Sequence, residues 1–235
     1  MKSTCGSPIT HHIHSYGCSN DENSQYCDRS FQLYIPTQLC DETTFSGFIK
    51  DTVPLVFAFH CYGCSSHNMM FFTAIADAFG FVLVVPEGLK RSWNAKYCCG
   101  YSQENDINDV GYVSEIISHL TGLGHNDIDL HGLVKRDFVY GLGWSNGAYF
   151  VSYAAGMFRS IAPISGHIYN LETDLPLSKF QEKDTNVGLF LHHSENDPNV
   201  RFTGCCRDSA MPKCCCNISN NKNTPEVNTK NLLRL

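Results

Sequence analysis

The sequence predicts a single α/β domain with a mostly parallel sheet and helices on both faces. Residues 54–59 and 81–85 are short, continuous apolar runs, which are typical of strands buried on both faces of a parallel sheet. Segments with helical spacing of apolar residues separate such runs, and this alternation indicates strand–helix–strand units. The length of 235 residues and the 43% hydrophobic content fit one domain with a substantial core.

The predicted elements follow one another from residue 31 onward. Residues 1–30 are polar and contain cysteines, so we expect an irregular lead-in before a domain that spans residues 31–204. Residues 205–235 are expected to form an irregular, Cys-rich tail. Periodicity and turn residues predict strands at 31–36, 54–59, 81–85, 137–140, 161–164 and 187–191, and helices at 68–79 (with Asn68 as N-cap), 106–120 and 148–158.

Charge and hydropathy exclude several partners. The 17 basic and 23 acidic residues give a net charge of -6, which provides no electrostatic attraction for nucleic acid or an anionic membrane. We find no apolar run of about 20 residues that would span a bilayer. We therefore expect a protein that binds neither nucleic acid nor membrane. We also expect a monomer.

Thirteen cysteines are many for this length and favour an oxidising, extracellular location. The start of the chain has no apolar run typical of a signal peptide, so we expect that an upstream segment is missing. The adjacent Cys98 and Cys99 are each expected to form a disulfide elsewhere. The cluster between Cys205 and Cys216 favours a disulfide-rich loop, and a metal-binding module is the alternative, although adjacent cysteines suit zinc poorly.

Residues 143–147 have the pattern G-x-S-x-G, with Ser145 at its centre. The motif follows a predicted strand and precedes a predicted helix, and this context is typical of a nucleophilic serine on a sharp turn. The alternative is a Gly/Ser turn without chemical importance. The helix amino terminus would supply backbone N–H groups for a developing oxyanion.

A second loop is expected to complete the oxyanion hole. It follows the strand at 54–59, and we expect the backbone N–H of Asn146 and that of Cys61 or Tyr62 to bind the oxyanion. His60 is expected to be a structural histidine of this loop or to line the substrate pocket. Trp93 either stacks on a sugar or aromatic acyl group or packs inside the protein; Glu87 and Asp109 are expected to form structural hydrogen bonds.

A triad also needs an acid and a base. Asp197 begins a turn after the strand at 187–191 and is the predicted acid, with Glu195 as the alternative. We find no histidine after His193, and His167 is expected to line the pocket rather than to act as the base. We therefore expect the chain to stop before its base, without the last strand and helix of the fold.

Taken together, these segments resemble esterases related to polyhydroxybutyrate depolymerases and to feruloyl and acetylxylan esterases. The resemblance runs from about residue 31 to 216 and rests on the strand residues together with these motifs: Val85-Pro86-Glu87-Gly88, Ser92-Trp93-Asn94, Asn108-Asp109-Val110, residues 141–148, Ala162-Pro163-Ile164-Ser165-Gly166 and residues 193–200. It implies a secreted α/β-hydrolase that cleaves esters with a Ser-His-Asp triad and without a metal or other cofactor. Ser145 and Asp197 match the nucleophile and acid.

Two departures from that family affect the expected activity. The family histidine lies near the carboxyl terminus in a Gly-His-x-Trp-like context, which has no match here, and Cys61 replaces the glycine that usually follows His60. The resemblance implies a secreted hydrolase of polysaccharide-linked feruloyl or acetyl esters or of polyesters. The alternative is an impaired fragment or a non-catalytic homologue, and we expect at most trace esterase activity from this chain.

Overall fold

The computed structural model describes residues 5–14, 28–39, 52–96, 98–122, 130, 133–166, 187–200 and 202. Its strands are β1 Ile9–His14, β2 Asp28–Tyr34, β3 Val53–Phe59, β4 Val82–Pro86, β5 Val134–Trp144, β6 Ser160–Ile164 and β7 Gly188–Leu189. Its α-helices are α1 Phe72–Phe79, α2 Tyr101–Glu104, α3 Asp109–Leu120 and α4 Asn146–Tyr153. Short 3₁₀ turns occupy Thr37–Leu39, Ser66–Met69, Leu89–Arg91 and Ala155–Met157.

The described strands form one sheet in the order β1-β2-β4-β3-β5-β6-β7. β1 pairs antiparallel with β2 and β2 antiparallel with β4, whereas all other neighbours run parallel. β5 lies between β3 and β6, with Gly143 opposite both Phe59 and Pro163. Because parallel strands end at one edge of a sheet, the loops after β3, β5, β6 and β7 share that edge.

Helices cover both faces of the sheet, as the sequence predicts. α3 and α4 pack on one face over a large apolar core that includes Phe57, Phe59 and Phe150. α1 packs on the other face, where Ala76 joins a smaller core with Leu83 and other residues. The β3 and β4 side chains point alternately into the two cores, so their sequences are apolar without a break.

The predicted elements exist, but several begin or end elsewhere. The helix predicted at 68–79 is divided: Asn68 accepts a hydrogen bond from the Ser65 amide (2.9 Å) within the 3₁₀ turn, and α1 begins only at Phe72. α3 begins at Asp109 because the Asn108 side chain caps it by accepting from the Gly111 amide (2.9 Å). The strand predicted at 187–191 contains only Gly188–Leu189, followed by an isolated bridge at His192.

The expectation of an irregular lead-in over residues 1–30 is wrong for β1 and for the first residues of β2. Polar residues outnumber apolar ones in β1, which hides the strand pattern. Ile13 is nevertheless buried, and the His11 ring stacks on Phe31 of β2 with centroids 5.4 Å apart. Pairing with β2 therefore stabilises a strand that periodicity alone did not reveal.

None of the helices in the described ranges combines the length and hydropathy that a bilayer span requires.

Candidate active site

Ser145 lies on a strained turn between β5 and α4. Its backbone has φ 54° and ψ -113°, a conformation that L-residues rarely adopt and that concentrates at functional sites. The Ser145 amide donates to the Ile164 carbonyl (2.9 Å) at the end of β6. The Ser145 carbonyl accepts from the amides of Ala148 and Tyr149 in α4 (2.9 and 3.0 Å). The turn is thus held by the neighbouring strand and by its own helix.

Both glycines of the G-x-S-x-G pattern are required by close backbone approach. A Cβ atom on Gly143 would overlap the main chain of Gly147. A Cβ atom on Gly147 would overlap the Phe59 carbonyl oxygen and lie 2.7 Å from the His60 carbonyl oxygen. The obstacles are backbone atoms that cannot rotate away, so the motif lets α4 begin directly against the end of β3.

Three backbone amides lie near this turn, one at the start of α4 and two in the loop after β3. Asn146 is the first residue of α4, where an amide has no intrahelical acceptor. Cys61 and Tyr62 follow the end of β3, next to Gly147. Within the described ranges, the amides of Cys61, Tyr62 and Asn146 make no hydrogen bond to the protein.

The loop that carries Cys61 and Tyr62 is anchored on both sides. A disulfide joins Cys61 to Cys64, and the Gly63 amide donates to the Arg91 carbonyl (2.9 Å). The Tyr62 side chain is 46% exposed and its ring lies where a Cβ atom of Gly100 would be. These contacts hold the loop against the segments that carry Arg91 and Gly100.

His60 is fully buried and works as a structural group of this loop. Its Nε2 accepts a hydrogen bond from the Gly88 amide (2.9 Å), so the proton lies on Nδ1, which donates to the Cys61 carbonyl (2.8 Å). Burial lowers the pKa of His60 below its ordinary value of 6.5, and the nearby carboxylate of Glu87 offsets this only in part. Both ring nitrogens bind groups of the protein. His60 therefore fits the structural role that the sequence predicts and does not fit the alternative of a residue that lines the substrate pocket.

Trp93 also lies inside the protein, with no exposed surface. Its indole Nε1 donates to the His60 carbonyl (3.0 Å) and its amide donates to the Asn146 side-chain oxygen (2.8 Å). The sequence allowed two roles for Trp93, stacking on a substrate or packing inside the protein. In the structure it packs inside the protein. Sequence reasoning missed the link to Asn146, since no local pattern relates residues 93 and 146.

A buried ion pair lies next to the loop that carries Trp93 and binds its main chain. Arg29 Nη1 lies 2.6 Å from Asp109 Oδ1, and both side chains are almost inaccessible. Asp109 Oδ2 accepts from the Asn94 amide (2.6 Å), and the Arg29 guanidinium lies 3.8 Å from the centroid of the Tyr112 ring. Asp109 forms structural hydrogen bonds, as the sequence predicts. The role of Arg29 was not predicted, because its partners Asp109 and Tyr112 lie about 80 residues away in the sequence.

Cys98 and Cys99 form a disulfide with each other, with Cα atoms 3.1 Å apart. The expectation that each bonds elsewhere is therefore wrong. Both cysteines are buried, and the Asn146 side-chain nitrogen lies 3.9 Å from Cys98 Sγ. The pair thus packs against the residue that follows the predicted nucleophile.

Asp197 lies after β7, at the same edge of the sheet as Ser145. Its Oδ1 accepts from the amides of Asn199 and Val200 (both 2.9 Å), and its side chain is 11% exposed. Oδ2 lies 3.9 Å from His193 Nε2, which donates to the Val200 carbonyl (2.7 Å). One carboxylate oxygen is thereby fixed by the backbone, while Glu195, the alternative acid, is exposed.

The described histidines do not include a base in contact with Ser145. Within those ranges Ser145 Oγ has no hydrogen-bond partner. The His192 side chain is exposed and the His193 side chain is only 1% exposed. His167, predicted to line the pocket, lies outside the described residues, as does the cysteine cluster between Cys205 and Cys216. In the described ranges we find no group of three potential metal ligands.

No protein-family model and no curated protein sequence matches this chain. Its structure does match solved structures. The acetyl xylan esterase from Aspergillus awamori aligns with a TM-score of 0.52 over 82% of this chain and 74% of that enzyme, at 10% identity. The fold is that of the α/β-hydrolases.

Two further α/β-hydrolase structures align less well. For the S-formylglutathione hydrolase from Agrobacterium tumefaciens the TM-score is 0.49, with 15% identity over 79% of this chain and 86% of that one. For FphF, a fluorophosphonate-binding serine hydrolase of Staphylococcus aureus, it is 0.46, with 16% identity over 77% of this chain. This chain spans 64% of FphF, and 46% and 58% of two other esterase structures.

Proposed function

We propose that this chain is a carboxylic ester hydrolase with Ser145 as its nucleophile. The observation that carries the proposal is the turn at Ser145, where a non-glycine residue has φ 54° between a parallel strand and a helix. Such strain persists only where the surrounding structure enforces it, and here β6, α4 and two close glycine contacts do so. The predicted kinship with polyhydroxybutyrate depolymerases stays a prediction.

The reaction proposed for this site is acyl transfer to water. Ser145 Oγ attacks the ester carbonyl while a general base takes its proton, and the carbonyl π electrons move onto oxygen. The family resemblance implies that this base is a histidine. The amides of Asn146 and of Cys61 or Tyr62 bind that oxyanion, which then collapses and expels the alcohol with the proton from the histidine. Water, deprotonated by the same histidine, releases the acid and regenerates Ser145.

Asp197 is proposed as the acid that orients the histidine. Two backbone amides hold its Oδ1, which leaves Oδ2 to accept from an imidazole. No described histidine contacts Ser145. In this proposal the described residues therefore supply the nucleophile, the acid and the oxyanion donors, but not the base. In serine hydrolases that lack one triad member, binding and the oxyanion hole still accelerate the reaction by about 10³- to 10⁴-fold over water.

The proposed substrates are acetyl or feruloyl esters linked to polysaccharides, or polyesters. The acetyl xylan esterase that shares the fold supports the first group by its name alone. Two disulfides beside the site, Cys61–Cys64 and Cys98–Cys99, support an oxidising and hence extracellular location. We further propose that the enzyme acts as a monomer.

A non-catalytic homologue is the second candidate, favoured by the absence of a described partner for Ser145 Oγ. Turnover of p-nitrophenyl acetate by the wild-type chain, Ser145→Ala and Asp197→Asn separates the two. The hydrolase proposal expects the wild-type rate, even if small, to exceed the Ser145→Ala rate at least tenfold, with Asp197→Asn between them. Equal rates for wild type and Ser145→Ala would support the non-catalytic homologue.

A further inference from the structure

Trp93 contacts both sides of the oxyanion hole through three buried hydrogen bonds. Its amide donates to Asn146 Oδ1 (2.8 Å), and Asn146 Nδ2 donates back to the Trp93 carbonyl (3.1 Å). Its indole Nε1 donates to the His60 carbonyl (3.0 Å). One residue thus binds the helix side of the hole at Asn146 and the loop side at His60.

The indole bond also fixes the direction of the Cys61 amide. The His60 carbonyl and the Cys61 N–H belong to one peptide group, which is planar, with its C=O and N–H pointing in opposite directions. Because the carbonyl points at the Trp93 indole, the Cys61 N–H points away from it. A carbonyl that accepts a hydrogen bond also polarises its own peptide group, so the N–H becomes a stronger donor.

The Trp93 ring is tightly packed among other aromatic rings. It is fully buried, stacks on Phe150 and meets Phe59 edge-on, with both centroid distances 5.2 Å. The next residue, Asn94, is held by the Asp109 carboxylate, which pairs with Arg29. The indole ring binds the His60 carbonyl while the main chain of the same residue binds the Asn146 side chain, so Trp93 links the loop after β3 to the start of α4.

We propose that Trp93 is a positioning residue that holds the Cys61 and Asn146 amides at a fixed separation and direction for the oxyanion. The inference rests on the proposed function, and it adds a role that no local motif around residue 93 predicts. Trp93 acts through His60 and Asn146 and does not touch the substrate. Its effect is therefore expected on the transition state rather than on ester binding.

The test compares the rate constant for fluorophosphonate labelling of Ser145 in wild type, Trp93→Phe and Phe158→Leu. Trp93→Phe keeps an aromatic ring and removes the indole N–H. Phe158→Leu perturbs the same aromatic cluster, 6.0 Å from Phe59, without a contact to either donor. We expect about a 10- to 100-fold lower rate constant for Trp93→Phe, which is less than the roughly 100- to 1,000-fold that loss of one oxyanion donor costs, because the donor is displaced and not removed. For Phe158→Leu we expect less than about a 3-fold change.

Two further readouts separate positioning from loss of fold. Loss of folded protein lowers the final extent of labelling, whereas misplaced donors lower its rate constant and kcat for p-nitrophenyl acetate with KM nearly unchanged. If Trp93→Phe does not fold, 3-benzothienylalanine introduced at position 93 keeps the bicyclic ring and replaces N–H by sulfur, with the same expected fall. Equal rate constants for wild type and either Trp93 variant would overturn the positioning role alone. An unreactive wild-type Ser145 would overturn the proposed function and this role with it.

Discussion

Replacement of Gly147 by alanine should separate α4 from the end of β3. The new Cβ atom would lie 2.7 Å from the His60 carbonyl oxygen and from the Phe59 carbonyl carbon, whereas ordinary contact begins at 3.4 Å. The backbone must therefore move by at least about 0.7 Å to relieve these two contacts, and by more to clear the Phe59 carbonyl oxygen, which the Cβ atom would overlap. None of these obstacles is a side chain that can rotate. Overpacking of this kind costs about 1–3 kcal/mol and occasionally more, and we expect a loss of about 3 kcal/mol in the free energy of unfolding.

The same movement should weaken the site, because it displaces the Asn146 amide relative to the Cys61 amide. A shift approaching 1 Å in a catalytic arrangement costs about 100-fold in rate. Gly111→Ala is the matched control: it also lies in the first turn of a helix, but the three atoms nearest to its Cβ all belong to the Asn108 side chain, which can rotate. Any weakening of the Asn108 cap is offset by the higher helix propensity of alanine. Urea denaturation measures both variants. The reasoning fails if Gly147→Ala is destabilised no more than Gly111→Ala, for which we expect a change of less than about 1 kcal/mol.

Three other sets of variants test the strain, the ion pair and the buried histidine. Ser145→Gly should raise the free energy of unfolding by about 1 kcal/mol in urea denaturation, since glycine adopts positive φ without strain, and Ser145→Ala should not; equal stabilities would contradict strain at this turn. Arg29→Met should cost about 3–5 kcal/mol by leaving Asp109 buried and unpaired, and Arg29→Met/Asp109→Leu should recover most of that loss in the same assay; no recovery would mean that the cost is not electrostatic. Because the folded-state pKa of His60 lies below 6.5, its contribution to stability is fully present above pH 6.5 and is lost as pH falls below that value, by at most about 1.4 kcal/mol per pH unit. His60→Gln should lose less stability over that range, and parallel pH curves for the two proteins would refute this.

The fold class and the sharp turn at Ser145 were predictable because their signals are local. Strands such as β3 and β4 are buried on both faces, so their sequences are continuous apolar runs. The turn at Ser145 needs a glycine two residues before the serine and another two residues after it, and that requirement gives a recognisable motif. Periodicity and turn chemistry were therefore enough to locate the buried strands and this turn.

What the sequence did not predict depends on contacts between distant segments. β1 is a strand because it pairs with β2, although its polar residues conceal the alternation. Arg29 matters because the fold brings it to Asp109, and Trp93 because the fold brings it to His60 and Asn146. The partner of Cys98 was wrongly predicted, since spacing does not determine disulfide connectivity.

The most direct test of the central claim is covalent modification of Ser145 by a fluorophosphonate probe, located by mass spectrometry of the digested protein. A serine hydroxyl in an ordinary turn reacts very slowly, whereas a serine with an activating base and a preformed oxyanion hole reacts readily. The account predicts one adduct on the peptide that contains Ser145, absent from Ser145→Ala and from wild-type protein unfolded in urea. Folded wild-type protein without an adduct on Ser145, or with equal labelling in Ser145→Ala, would contradict it.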